Sequence, residues 1–467
     1  MRFVIKAAAW LVALNVVFLI LTIAVQSLDA AKIEARLRMD VASGVLGPGN
    51  QVPGPFGHNL DMFTECIALS AGAVPPDGAS AVRRALEHRY FPGAESGKAD
   101  PCGALTSYLD DDRATVLIAS YVRYWHGYDV YLLPMVRLGM PQKLLRYLNL
   151  VMVTVLCVGL LHASARLFPL PVMASLLVTL FLTADLFAVP LVTAHVVGLL
   201  VCFATAWAAA VYMKLKPDDS EGLRWIALFS GAVFAFVDFL VNPPLTPALL
   251  MFLVIAARRW NRPEMPARSV LVTSSSVGLT WFAGYLATWA GKWILSAIVL
   301  GPRPVFDEVF ANIVKRTIGN PESETQRAVS LHFGAATLAN IEVLSWTLLF
   351  VSLVAAAAIL ATAAVRGHLS SERVRDFLLV ATPALVPVLW LEVLRNHSIV
   401  HVGFVFRDLG MSLGVVVAAA MFVLVAGSRA AGREGRRTSI RTRSPAWSLA
   451  LLPTSASRRR AGLGRGP

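Results

Sequence analysis

The sequence predicts an all-α polytopic membrane protein with about ten transmembrane helices and a large first loop on the extracytoplasmic side. Of its 467 residues, 56% are hydrophobic and only 15% are charged, whereas soluble domains carry about a quarter charged residues. Apolar stretches recur along the chain, and most are long enough to cross a hydrocarbon core of roughly 30 Å. This excess of apolar residues indicates that lipid surrounds most of the chain.

The first predicted span, residues 3–26, is too long and too continuous for a signal peptide and has no convincing cleavage site. Two hydrophilic intervals follow: a first loop of about residues 28–145 and a second loop of about residues 301–340. The transmembrane domain covers residues 1–427. The nine further spans are expected at residues 147–165, 170–186, 191–213, 225–241, 245–257, 270–289, 344–365, 377–394 and 410–426.

The distribution of basic residues predicts the orientation of the chain. Residues 428–467 contain ten Arg and one Glu and so carry +9 of the net charge of +13. The other short basic connections fall on the same side as this tail, which the positive-inside rule assigns to the cytoplasm. Both termini are then cytoplasmic and both loops face outward from the inner (plasma) membrane. We expect the tail to be disordered and to contact anionic lipid headgroups rather than nucleic acid.

The four cysteines fall into two pairs. Cys157 and Cys202 lie inside predicted spans, where cysteine is an ordinary small core residue. Cys66 and Cys102 both lie in the first loop, and an extracytoplasmic loop permits a disulfide between them. Two free thiols are the alternative.

Two carboxylates in the first loop are candidates for catalysis. Asp61 and Glu65 are four residues apart, so a helix would place both on one face. The apolar residues that follow make the segment amphipathic, which is typical of a helix lying at the membrane surface. The alternative interpretation is a surface helix with two solvated acids.

Two further segments carry candidate substrate-binding residues near the outer ends of spans. The first combines aromatic, basic and acidic side chains, although aromatic residues at a membrane boundary often form only an interfacial belt. The second ends the fifth span with an acid, which costs roughly 2.5 to 3.5 kcal/mol within a membrane and should therefore face a cavity or the bundle interior. The candidates are Tyr124, Trp125, His126, Asp129, Asp238 and Asn242.

Basic residues at the outer ends of the seventh and ninth spans are candidates for holding a phosphate. Lys292 lies between two Trp residues, as either a snorkelling anchor or a phosphate-binding lysine would. His397 and His401 have the spacing of a zinc-binding pair, but no third ligand accompanies them, so no metal site is assigned. Together with Arg395 and Arg407 they are better suited to a phosphate or pyrophosphate; a solvated loop is the alternative.

This pattern resembles the GT-C superfamily of membrane glycosyltransferases, which take a sugar from a polyprenyl-phosphate carrier and have a catalytic acid in the first outer loop. The chain is also similar to a group of uncharacterised bacterial membrane proteins. That second resemblance rests on Thr-Glu-Cys at 64–66, Tyr-Trp-His-Gly-Tyr at 124–128, the helix end at 284–293 and the His/Arg segment at 396–407.

The resemblance implies a fold, an activity and roles for individual residues. It implies a first loop with surface-lying helices, with Asp61 as the general base, Glu65 as second candidate and Asp29 as a weaker one. The donor would be a polyprenyl-phosphate-linked sugar, and the acceptor a glycan, lipid or protein of the cell envelope. No cofactor is required, and a divalent metal is optional because the leaving phosphate is already ionised.

Two other classes of function remain open from the sequence. A transporter or lipid flippase also has about ten helices and intramembrane charges, although such proteins often contain inverted repeats and place their substrate sites near the bilayer midplane. No convincing internal repeat is present here. A non-catalytic assembly protein of the cell envelope is the third possibility.

Overall fold

The computed structural model describes residues 2–53, 59–75, 78–93, 99–110, 116–319 and 332–442. Within these ranges the regular secondary structure is helical apart from two short antiparallel strand pairs. β1 (Gln51–Pro53) pairs with β2 (Asn59–Asp61), and β3 (Arg89–Tyr90) pairs with β4 (Ala119–Ser120). Both pairs lie in the first loop.

The first loop is a folded unit rather than an extended connection. After α1 (Arg2–Gln26), five helices are formed: α2 (Ala30–Ala42), α3 (Met62–Ala73), α4 (Ala81–Glu87), α5 (Pro101–Leu109) and α6 (Asp129–Arg137). Four of them begin at a polar cap whose side chain accepts a hydrogen bond from a backbone N–H of the first turn; the caps are Asp29, Asp61, Ser80 and Asp100. A disulfide between Cys66 and Cys102 joins α3 to α5.

The helix that contains Glu65 is not at the surface. Ten of the twelve residues of α3 are buried, because the helix contacts α2, α5 and α6 within the first loop. The expectation of an amphipathic, surface-lying helix at this position was therefore wrong. The apolar residues that suggested membrane contact instead form the core of the loop.

Six helices follow the first loop: α7 (Gln142–Ser164), α8 (Leu170–Thr183), α9 (Thr193–Leu215), α10 (Ser220–Val237), α11 (Leu245–Asn261) and α12 (Ala267–Leu300). Glycines let α10 and α12 approach closely. A Cβ at Gly231 would lie 2.1 Å from the carbonyl oxygen of Trp281, and one at Gly284 would lie 2.2 Å from that of Leu228. Small residues at such crossings are typical of helix packing in membranes.

The remaining helices are α13 (Pro302–Thr317), α14 (Ala335–Leu344), α15 (Trp346–Val365), α16 (Ser371–Ala381), α17 (Leu385–Val393), α18 (Arg395–Val400), α19 (Val402–Val405) and α20 (Arg407–Thr442). The expected second loop thus contains α13 and most of α14, while residues 320–331 lie outside the described residues. The helix α20 continues past position 428, where the basic tail is expected to begin. Residues 443–467 of that tail also lie outside the described residues.

Eight helical stretches of the described chain are long and apolar enough to cross a membrane. They are Arg2–Gln26, Gln142–Ser164, Thr193–Leu215, Ser220–Val237, Ala267–Leu300, Trp346–Val365, Ser371–Val393 and Val402–Arg429. Large apolar side chains on their outer faces are exposed, as with Val155, Leu279 and Phe350. Lipid is the solvent that such faces require, so the chain is a mainly helical, multi-pass membrane protein.

The two other predicted spans are also helical, but their helices are shorter than the eight above. They correspond to α8 and α11, with 14 and 17 residues, which extend about 21 and 26 Å at a rise of 1.5 Å per residue. The helix α11 is almost entirely buried, so its length is matched to its protein neighbours rather than to the bilayer.

Candidate functional site

A cavity of about 820 Å³ lies where the first loop meets the ends of α8 and α10 and the segments from α13 to α20. Its wall has three chemically different parts. Two carboxylates, Asp61 and Asp185, lie among basic residues, and an apolar strip belongs to α14, α15 and α18. The basic residues are Arg123, Lys315, Arg316, His397, His401 and Arg407, and the apolar strip contains Val343, Leu344, Leu348 and Val400.

Asp61 is the N-cap of α3 and is held by two neighbours. Its Oδ2 accepts a hydrogen bond from the hydroxyl of Thr64 at 2.9 Å, and Nε2 of His195 lies 3.2 Å from the same oxygen. Desolvation raises the pKa of Asp61, but the nearby His195 ring and the hydrogen bonds from Thr64 outweigh it and hold this pKa below its ordinary value. Asp61 is therefore an ionised carboxylate in the cavity wall at neutral pH.

Glu65 lies one turn further along α3 but does not line the cavity. Its Oε2 accepts a hydrogen bond from the backbone N–H of Ala194 at 3.0 Å, in the first turn of α9. The cap residue of α9, Val192, offers no side-chain oxygen, so Glu65 supplies the cap from another helix. Burial raises the pKa of Glu65 above its ordinary value, opposite to the shift at Asp61.

On the basic wall, an arginine of α13 contacts a histidine of α18. Nε2 of His397 lies 3.1 Å from the carbonyl oxygen of Leu240 and donates to it, which leaves Nδ1 to accept a hydrogen bond from Arg316. The ring of His401 lies 4.6 Å from that of His397. Burial and the charge of Arg316 lower the pKa of both histidines, and that of His401 to about 4. Both rings are therefore neutral at pH 7.

The same contacts bear on metal binding. Both ring nitrogens of His397 already have protein partners, so this histidine has no nitrogen left for a zinc ion. Among the residues that the structure describes, no group of three or more His, Cys, Asp or Glu side chains is arranged to hold a metal.

Two of the predicted phosphate-binding residues lie away from the cavity. Lys292 is fully buried, and its Nζ donates to the carbonyl oxygen of Leu86 at 2.8 Å, at the C-terminal end of α4. Nε of Arg395 lies 3.1 Å from a carboxylate oxygen of Glu392. His397, His401 and Arg407, the other three, line the cavity.

The aromatic and acidic candidates of the first loop lie behind the cavity wall. Trp125 donates through its indole N–H to the carbonyl oxygen of Thr288 at 3.0 Å, and Tyr124 stacks on Trp289. His126 and Asp129 are buried in the interior of the loop. These residues support the wall rather than form its surface.

Asp238 and Asn242 lie beside a second, smaller cavity of about 20 Å³ that Arg407 and His195 also line. Asp238 accepts backbone hydrogen bonds from Leu240 at 2.7 Å and Val241 at 3.2 Å. Asn242 donates to Asp408 at 2.9 Å. Asp238 therefore stabilises the turn that follows α10, and Asn242 links that turn to α20.

Five cavity or contact residues are not among the site residues predicted from the sequence: Arg123, Asp185, His195, Lys315 and Arg316. Of these, Lys315 and Arg316 enlarge the basic region that follows Lys292 in the sequence. His195 carried a usable signal, because an ionisable residue at the edge of an apolar span is costly and is often functional. Lys315 and Arg316 are distant in sequence from the His/Arg segment. Only the packing of α13 against α18 shows that they share a wall with it.

The arrangement combines an ionised carboxylate, neutral histidines, guanidinium groups and an apolar strip in one cavity. Such a set can accept a proton from a hydroxyl, stabilise a phosphate and hold a hydrocarbon chain. Comparison of the chain with protein-family models, with curated proteins and with solved structures gives no match.

Proposed function

We propose that this protein is a membrane glycosyltransferase of the GT-C type, within the uncharacterised bacterial group that it resembles. It would transfer a sugar from a polyprenyl-phosphate donor to a glycan, lipid or protein acceptor of the cell envelope. The reaction would take place on the extracytoplasmic face of the inner membrane. The observation that carries this proposal is that Asp61 shares one cavity with a basic wall and an apolar strip.

The cavity suits a lipid-linked phosphate better than a free sugar phosphate. The apolar residues Val343 and Val400 are both about half exposed, so the strip that they form continues to the outside of the helical bundle. Lys315 and Arg316 lie on the adjacent wall. A prenyl chain would lie on the apolar strip, and its phosphate would contact Lys315 and Arg316. The hydrocarbon part of the donor would then have apolar surroundings and the charged part would have cationic partners.

The chemistry would be a single displacement at the anomeric carbon. The acceptor hydroxyl attacks that carbon, the bond from carbon to the phosphate oxygen breaks, and the acceptor proton passes to Asp61. The leaving group is a polyprenyl phosphate that keeps the bonding electron pair. Arg316, Lys315 and Arg407 would stabilise its additional negative charge. No residue needs to protonate the leaving oxygen, and the neutral His401 would serve as a hydrogen-bonding partner.

The proposal also includes the finer topology. Ten spans, with α8 and α11 as the two short ones, would place both termini in the cytoplasm. The first loop and α13 would then face outward. The basic C-terminal tail would stay in the cytoplasm, as the positive-inside rule requires. Glycosylation or cysteine-accessibility mapping of the first loop checks this orientation.

Transfer by purified protein tests the proposed function. The wild-type chain in nanodiscs is given farnesyl-phosphate-linked hexoses and pentoses together with an acceptor fraction extracted from bacterial envelopes, and release of farnesyl phosphate is measured. We expect Asp61→Asn to lower the rate by about 100-fold or more, the usual contribution of a general base. Asp307→Asn is the matched control, because Asp307 is an exposed acid on α13. A D61N protein that turns over like the wild type contradicts the assignment.

A further inference from the structure

The helices α3 and α9 are joined by two polar contacts at adjacent residues. Glu65 accepts a hydrogen bond from the backbone N–H of Ala194 at 3.0 Å, and the neighbouring His195 places its Nε2 3.2 Å from Oδ2 of Asp61. Glu65 and Asp61 lie four residues apart at the start of α3, and Ala194 and His195 lie in the first turn of α9. Two contacts fix both the distance and the rotation between the helix ends.

We propose that His195 is a positioning residue for the catalytic carboxylate of Asp61, and that Glu65 acts with it by holding the helix end that carries His195. The inference rests on the proposed function. It gives Glu65 a different role from that of an alternative base. It also assigns a role to His195, which has no apparent part in the chemistry.

The geometry leaves one oxygen of Asp61 for the acceptor. Oδ2 is engaged by Thr64 at 2.9 Å and by His195 at 3.2 Å. Oδ1 has only a long contact of 3.4 Å from the backbone N–H of Thr64. With its Nε2 at this distance, the buried ring of His195 restrains the rotation of the carboxylate about its last bond, while Oδ1 stays available to an incoming hydroxyl.

His195 is well placed for this role because it cannot easily move. Its side chain is 1% exposed, and its ring packs against Phe404 with centroids 5.4 Å apart. Phe404 belongs to α19 and lines the cavity, so the ring is held between the first loop and the His/Arg segment. The proton on Nε2 stays on the imidazole throughout, because Asp61 itself receives the acceptor proton.

Four variants test the proposal in nanodiscs with the farnesyl-phosphate donors. His195→Gln keeps an N–H donor near Asp61, and Glu65→Gln keeps an oxygen that accepts from Ala194. His195→Leu and Glu65→Ala remove these contacts. We expect kcat to fall about 10- to 100-fold in the last two, as a carboxylate misplaced by about 1 Å would cause. The KM for the donor should stay unchanged, and the two Gln variants should keep most of kcat.

A readout that needs no turnover accompanies the kinetics. The infrared band of the Asp61 carboxyl group is identified by subtracting the D61N spectrum and is followed over a pH series. Loss of a donor to the charged carboxylate should move protonation of Asp61 to higher pH in His195→Leu, and less so in His195→Gln. The spectra apply even if none of the donors is turned over.

The possible results separate the two proposals. If D61N is as active as the wild type, or if the wild type turns over none of the donors, the proposed function fails. If D61N is inactive while His195→Leu keeps both its kcat and its Asp61 titration, only the positioning role fails. A His195→Gln protein as inactive as His195→Leu would also overturn that role. It would show that an N–H donor is not sufficient and that His195 must itself take up or release a proton.

Discussion

The imidazole rings of His88 and His126 stack face to face in the first loop, with centroids 3.4 Å apart and planes 5° apart. Both residues adopt the left-handed backbone conformation, which costs energy for side chains other than glycine. Nε2 of His126 donates to the carbonyl oxygen of Tyr121 at 2.9 Å, and Nδ1 lies 2.7 Å from the hydroxyl of Tyr128. Nδ1 of His88 lies 3.4 Å from Asp129. Stacked rings this close cannot both be charged.

Because these two rings are stacked and buried, we predict that acid destabilises the protein. Burial lowers the pKa of both rings well below 6.5, and the charge of Lys292 adds to this effect at His88. The unfolded chain binds these protons at about pH 6.5 and below, whereas the folded chain does not. The stabilisation is therefore present above pH 6.5 and is lost as the pH falls below it, by at most about 1.4 kcal/mol per pH unit for each ring. Thermal unfolding in detergent, followed by intrinsic fluorescence, measures this loss.

One variant and one control isolate the effect. His88→Asn suits a left-handed backbone and should remove about half of the acid sensitivity, whereas His162→Asn, at an exposed position, should leave it intact. Burial raises the pKa of Asp129, so stabilisation by that carboxyl is lost as the pH rises and does not imitate the acid effect. An unchanged acid slope in His88→Asn contradicts the prediction.

Lys292 is predicted to contribute to stability and not to donor affinity. Its Nζ donates to the carbonyl oxygen of Leu86 at 2.8 Å and lies 5.4 Å from the centre of the Trp125 ring. The hydrogen bond to Leu86 links α12 to the end of α4. Lys292→Ala should lower the free energy of unfolding by about 2 to 4 kcal/mol, since it leaves a void and an unpaired carbonyl. Lys292→Met should lower it less.

The same variants show whether Lys292 stabilises the fold or binds the substrate. The KM for farnesyl-phosphate sugars should stay within about twofold of the wild-type value in Lys292→Met. A large increase in KM with unchanged thermal stability would instead place Lys292 at the phosphate.

The sequence predicts the helical spans well because their signal is local. The length of a continuous apolar run can be read directly from the sequence, so all ten predicted spans coincide with helices. The helix α8 ends three residues before its predicted span does, and α11 extends four residues beyond its own. The apolar residues of α3 were predicted to contact the membrane for the same reason. Their sequence shows that they are apolar, but it does not show whether lipid or protein covers them. The neighbours α2, α5 and α6 supply that cover.

Prediction of the site is less complete because it depends on contacts distant in sequence. Asp61, His401 and Arg407 were found from local clusters and do line one cavity. Lys292 looked like an interface anchor or a phosphate ligand because its Trp neighbours are visible in sequence, whereas its partner Leu86 is 206 residues away. The contact between His195 and Asp61 spans the first loop and α7, so no sequence spacing could indicate it.

The disulfide between Cys66 and Cys102 is predicted to stabilise the first loop and the wall that it contributes. It closes a segment with a sequence separation of 36, for which the chain-entropy model gives about 4 kcal/mol. Cys66→Ala with Cys102→Ala should lower the unfolding temperature, as should a reductant applied to the wild type. Cys157→Ala with Cys202→Ala is the control, because those thiols are free and buried, and its response to reductant should match that of the wild type. A double Cys66/Cys102 variant as stable as the wild type contradicts this role.

Arg316 is predicted to determine affinity for the donor phosphate. Its guanidinium group lines the cavity and contacts His397, and it lies 5.6 Å from the centre of the Tyr124 ring. A hydrogen bond to a charged group is worth about 1.5 to 3 kcal/mol, so Arg316→Gln should raise the Kd for farnesyl phosphate about 10- to 100-fold. Calorimetry in nanodiscs measures this Kd. Arg303→Gln is the matched control, because the side chain of Arg303 on α13 is 93% exposed and lies outside the cavity lining. Equal Kd values for the two variants would show that the phosphate does not bind at this wall.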